Sequence, residues 1–106
     1  MVIDTSALIC ILLGEPEAEG FARAIALDWK RLVSTMGLLE ASIVLEAKQG
    51  KAGGRKLDAL LKRINTEIIP FDHKQSDIAR QAWRKYGKGR HQAGLNIGDC
   101  CSYALS

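Results

Sequence analysis

Three short runs rich in apolar residues, VID at 2–4, RLVST at 31–35 and EIIPF at 67–71, are each followed by two stretches of helical periodicity. This β-α-α-β-α-α-β-α-α order constrains the fold more than any other feature of the chain. Strands that alternate with helices predict a parallel sheet with helices on both faces, an α/β architecture in three layers. Pro70 in the third run predicts a sheet edge or strand end, because proline cannot donate to a ladder. A chain of 106 residues is expected to form one domain around one core.

The helices are read from spacing and punctuation. Residues 7–13 are apolar throughout, with Thr5 or Ser6 as cap and Gly14 as stop. Pro16 suits the first position of a second helix, which carries Phe21, Ala22, Ile25 and Ala26 and fades near Asp28. A third helix is expected over 37–49, stopped by Gly50, and GKAGG at 50–54 reads as a loop. Leu57, Leu60, Leu61 and Ile64 make an i, i+3, i+4, i+7 stripe. Asp72 is expected to cap a fifth helix with Ile78, Ala79, Ala82, Trp83 and Tyr86 on its inner face. Residues 87–94 read as a basic loop, and Asn96 as the cap of a last helix.

Composition removes several classes of protein. Hydrophobic residues at 47% and charged residues at 25% exclude a disordered tail or a disulfide scaffold. Aromatics at 6% argue against a base-stacking platform. A net charge of +3 permits a phosphate-bearing partner without requiring one. Three cysteines, two of them adjacent, lack zinc-type spacing and are expected to be reduced, packed thiols of a cytoplasmic protein. The apolar run at 7–13 is too short to span a bilayer, so no membrane role is expected.

Ligands of open α/β sheets sit beyond the carboxyl ends of the strands. Asp4 ends the first strand run, and Glu40 and Asp99 fall near the starts of later helices. Each acid has a plain structural reading. Asp99 stands three residues after Asn96, and Glu40 three after Gly37, the interval of a capping pair. Asp4 is the hardest to dismiss, because an acid directly after two apolar residues is half-buried and needs a partner. If the three carboxylates met, their repulsion would call for a hard divalent cation such as Mg²⁺ or Mn²⁺. Such an ion acidifies bound water and steadies charge on a phosphodiester.

The segments MVIDTSAL, LLEASIVLEA and LNIGDCCSYAL, in this order and spacing, resemble the PIN domain, and more narrowly the VapC-type toxins of bacterial toxin–antitoxin modules. The GKAGGR and WRKYGKGRH segments are similar to the same subgroup. The resemblance implies a PIN-like fold and an Mg²⁺-dependent (or Mn²⁺-dependent) endoribonuclease held inactive by a cognate antitoxin, usually as a homodimer. It implies Asp4, Glu40 and Asp99 as the catalytic and metal-binding residues, with Asp4 and Asp99 as direct ligands and Glu40 either holding a metal-bound water or polarising the nucleophile. The hydroxyl of Ser6, or of Thr5, stands beside Asp4. Family members continue with another strand, a turn carrying a further acid and a final short strand. The expectation is that these C-terminal strands are absent from residues 1–106.

Arg84, Lys85, Lys88, Arg90 and His91 either line the path of an RNA backbone or form a solvated helix end. Lys48, Lys51, Arg55 and Lys56 are expected to face solvent. His73 and His91 are isolated and are not expected to bind metal. Trp83 and Tyr86 are assigned to the core. A catalytically impaired module that only binds an antitoxin or a second copy is the alternative to an enzyme. A phosphoacceptor receiver lacks its acidic pair and late lysine here. A Rossmann or P-loop nucleotide binder lacks its glycine motif.

Overall fold

The computed structural model describes residues 1–87 and 97–106. Its elements run α1 (Thr5–Leu13), α2 (Ala18–Leu27), β1 (Leu32–Ser34), α3 (Thr35–Gln49), α4 (Lys51–Arg63), β2 (Glu67–Ile69), α5 (His73–Tyr86) and α6 (Ile97–Leu105). The architecture is mostly helical around parallel strands, in keeping with the α/β reading. β1 pairs with β2 in parallel, Val33 opposite Ile68. The first predicted strand narrows to one parallel bridge, Val2 to Leu32, supported by Ile3 N–H donating to Leu32 O at 2.8 Å. β1 therefore lies between the N-terminal segment and β2. β2 stops at Ile69, immediately before Pro70, as the missing proline donor requires.

The main core joins Ile3, Leu8, Ile25, Val33, Ala41, Leu45, Leu57 and Leu61. α1 buries Thr5, Ala7, Leu8 and Cys10, which explains why it is apolar around most of its surface. α3 packs against both α1 and α4. The predicted stripe of α4 faces this core, with Leu57 wholly buried and Leu60 and Ile64 packed beside it. A smaller cluster of Ala79, Cys100 and Ala104 joins α5 to α6. Cys10, Cys100 and Cys101 are free and buried, as expected of packed thiols. Among the described residues no helix is long and apolar enough to cross a membrane.

Several expectations need correction. The predicted loop at 50–54 shrinks to Gly50, at φ +67°, and α4 starts at Lys51. Gly53 and Gly54 are buried inside that helix. A Cβ on Gly53 would come within 2.5 Å of the Leu45 carbonyl oxygen, so glycine there serves close approach of α4 to α3. Asp4, not Thr5 or Ser6, holds the N-cap position of α1. Pro16 lies in the turn ahead of α2, whose N-cap is Glu17. Trp83 is 44% exposed rather than core. Ala79 and Ala82 carry the buried face of α5, and Trp83 falls one step off that stripe, with its indole over Gly87. Tyr86 is half-buried against Tyr103, ring centroids 6.2 Å apart. Asp72 caps α5 as predicted, accepting Gln75 N–H at 2.9 Å. Lys48, Lys51, Arg55 and Lys56 are exposed.

Candidate functional site

The site forms where the N-terminal segment, α3 and α6 meet. Asp4 stands at the start of α1, in extended backbone at φ −75° and ψ 148°. Its carboxylate makes no capping bond to the helix. It turns instead to two hydroxyls: Ser6 Oγ donates to Oδ2 at 3.0 Å, and Ser102 Oγ donates to Oδ1 at 3.1 Å. Thr5 is used differently from Ser6. Its hydroxyl is buried and donates to the Gly37 carbonyl at 3.2 Å, tying α1 to α3.

Glu40 also departs from its plain reading. Ser34 caps α3, accepting Met36 N–H at 3.2 Å, so the helix begins at Thr35 and Glu40 lies beyond its first turn. No capping role remains for it. Its carboxylate lies against α6, where a Cβ added to Gly98 would come within 2.5 Å of Oε2. Glycine at 98 is the condition for that approach. Burial pushes the Glu40 carboxyl above its ordinary value of 4.5, and repulsion from Asp4 and then Asp99 pushes it further in the same direction. Asp99 sits in the first turn of α6, as expected. Asn96, its proposed cap partner, lies outside the described residues.

The structure thus brings Asp4, Glu40 and Asp99, distant in sequence, into one electrostatic neighbourhood. Among the described residues, no cation pairs with Asp4 or Glu40. Ion pairs elsewhere in the described residues involve Asp28, Glu19 and Asp77. Carboxylates that repel one another make an all-oxygen donor set suited to a hard divalent cation. The thiols nearby do not compete in the thiolate form. Burial, then Asp99, raises Cys100, while burial, Cys100 and Glu40 raise Cys101.

Sequence reasoning missed two features. Ser102 is one, and its signal was its position three residues after Asp99, on the same helix face. The other lies at the opposite end of α1, where one ligand atom each from Cys10, Glu15 and Glu17 falls within 4.8 Å of the others. The Gly14 turn creates that grouping. Burial, then Glu15 and Glu17, raises the Cys10 thiol and keeps it protonated. His73 is not isolated from charge, since its Nε2 lies 3.3 Å from Asp77 on the same helix. In the basic stretch, Arg84 and Lys85 are exposed in the last turn of α5, whereas Lys88, Arg90 and His91 lie outside the described residues.

The fold is mostly helical around parallel strands, with Asp4 and Asp99 close enough to Glu40 to act on its charge. Residues 1–106 match the PIN domain family, and the chain belongs to it. It is 54% identical over 106 residues to the Mycolicibacterium smegmatis protein named "Ribonuclease VapC", covering 100% of this chain and 82% of the relative. The Mycobacterium tuberculosis protein named "Ribonuclease VapC30" is 52% identical over 106 residues, with 100% of this chain and 81% of the relative covered. "Ribonuclease VapC28" of the same organism is 40% identical over 107 residues, covering 100% of this chain and 80% of the relative.

Proposed function

We propose that this chain is a ribonuclease of the VapC type, hydrolysing RNA phosphodiester bonds with Mg²⁺ or Mn²⁺ as cofactor and restrained by a cognate antitoxin in the cytoplasm. One observation carries the reading: Asp4 is bonded by Ser102 and the Glu40 carboxylate packs against Gly98, so both meet the helix that carries Asp99 in its first turn. The ribonuclease names of relatives at 52–54% identity support it. Asp4 and Asp99 are the residues to hold the cation, with Ser6 orienting Asp4. When bound, the ion supplies Lewis acidity toward the phosphodiester and lowers the pKa of water. Glu40 orients the attacking water and accepts its proton as the oxygen bonds to phosphorus and the leaving oxygen departs. Lys85, with Lys88 and Arg90, tracks the RNA backbone through phosphate contacts.

Two surfaces support the partner assignments. A groove of about 260 Å³ between α1, α2 and α4 is lined by Ile11, Ala22, Ile25 and Leu60, with Arg31 and Arg63 at its edge. An antitoxin helix with an apolar stripe and an acidic residue suits it. Arg31 is already engaged with the carbonyls of Ile25 at 2.8 Å and Ile64 at 2.6 Å, which leaves Arg63 for the partner's acid. Leu39 and Ile43 are exposed on α3 beside Glu40, an apolar strip that suits a second copy of the chain. The test is RNA cleavage with added Mg²⁺ or Mn²⁺, abolished by chelation and by Asp99→Asn. Cleavage that survives both would contradict the proposal.

A further inference from the structure

The hydrogen bond from Ser102 to Asp4 joins residues 98 apart in sequence. α6 packs chiefly on α5, through Cys100 and Ala104 against Ala79, and makes smaller contacts with α3 and β1. That apolar packing fixes α6 relative to α5. The direct tie between α6 and Asp4, at the start of α1, is Ser102, which lies on the Asp99 face of α6 and reaches the Asp4 carboxylate at 3.1 Å. Asp4 is then held at both oxygens, by Ser6 from its own helix and by Ser102 from α6. Each carboxylate oxygen has two lone pairs, so a hydroxyl on one leaves the other for a cation.

We propose that Ser102 is a positioning residue: its hydroxyl sets the separation and orientation of Asp4 relative to Asp99, and with them the affinity for a divalent cation. This rests on the reading of the two acids as metal ligands. Hydrogen-bonding partners of ligating carboxylates typically contribute 10- to 100-fold in metal affinity. Ser6 is exposed and local to Asp4, so it orients the carboxylate without tying it to α6.

Calorimetric titration of the full chain with Mn²⁺ tests the inference without reference to catalysis. Ser102→Ala is expected to raise the Mn²⁺ Kd by about 10-fold or more. Ser102→Thr, which keeps the hydroxyl, is expected to restore most of the loss. Ser6→Ala is expected to change the Kd less than Ser102→Ala. Asp4→Asn serves as the control that abolishes binding. If Asp4→Asn abolishes binding while Ser102→Ala keeps the wild-type Kd, Ser102 is merely structural and the inference fails, even if its melting temperature drops. If the wild-type chain takes up no Mn²⁺, the ligand reading fails, and this inference fails with it.

Discussion

The packed interface of α1, α3 and α4 and the acidic rim at Asp4, Glu40 and Asp99 are built on opposite principles. In the first, every contact lowers the free energy of the folded chain by itself. Leu8, Leu45 and Leu57 are wholly buried, and Gly53 lets two helix backbones approach. In the second, like charges are gathered at a half-buried rim, and the folded protein bears the repulsion. The rim is tolerated because packing holds its supports in place: the start of α1 and the second turn of α3 on the main core, and α6 on α5. Stability therefore resides in one region and the proposed chemistry in the other. Substitutions should separate the two.

The largest separation is expected at the acids. Asp4→Asn and Asp99→Asn should each lower metal-dependent RNA cleavage by at least about 100-fold, more than loss of a hydrogen-bonding partner alone. Circular dichroism should show the fold retained. Wild-type turnover in both variants would remove the acids from the chemistry. The converse is expected at Leu57→Ala, which should cost about 2–5 kcal/mol of stability in urea unfolding by leaving a cavity. Activity per folded molecule should persist. A smaller loss, about 1–3 kcal/mol, is expected for Gly53→Ala, where the added methyl meets the Leu45 carbonyl. An unchanged urea midpoint there would show that α4 does not depend on the close approach.

The subtlest prediction concerns pH. Because Glu40 binds its proton more tightly in the folded chain than in the unfolded one, folding takes up protons between 4.5 and the raised value. In the metal-free protein, the contribution of Glu40 to stability is therefore highest on the acid side of that window. It falls as pH rises through the window and then stays lost. Glu40→Gln should remove this fall and raise the metal-free melting temperature at neutral pH, while lowering cleavage. A stability profile identical in wild type and Glu40→Gln would show that the rim carries no such repulsion.

Much of this division is legible in the sequence, for identifiable reasons. The three strand positions follow from short β-branched runs, and the Leu57 stripe from its period. Asp4 is conspicuous because an acid directly after Val2 and Ile3 cannot be ordinary surface. The errors arise where local rules compete with packing. GKAGG reads as a loop because glycine weakens helices, yet Gly53 and Gly54 are retained inside α4 for what a missing side chain allows. Trp83 reads as core by periodicity, but the buried face of α5 consists of small residues beside it. Ser102 carries only a weak signal in the sequence. A serine three residues after an acid has many uses, and only the arrival of α1 beside α6 selects one. The Glu40–Gly98 approach is likewise a tertiary fact, invisible until two distant helices are placed together.

Anomalous scattering from crystals grown with Mn²⁺ tests the gathered carboxylates most directly. The account predicts a strong peak between α1 and α6, with oxygens of Asp4 and Asp99 in its first coordination shell at about 2.1 Å, in the range of small hard divalent ions. A peak only at Cys10, Glu15 and Glu17, or none on the chain, would contradict it.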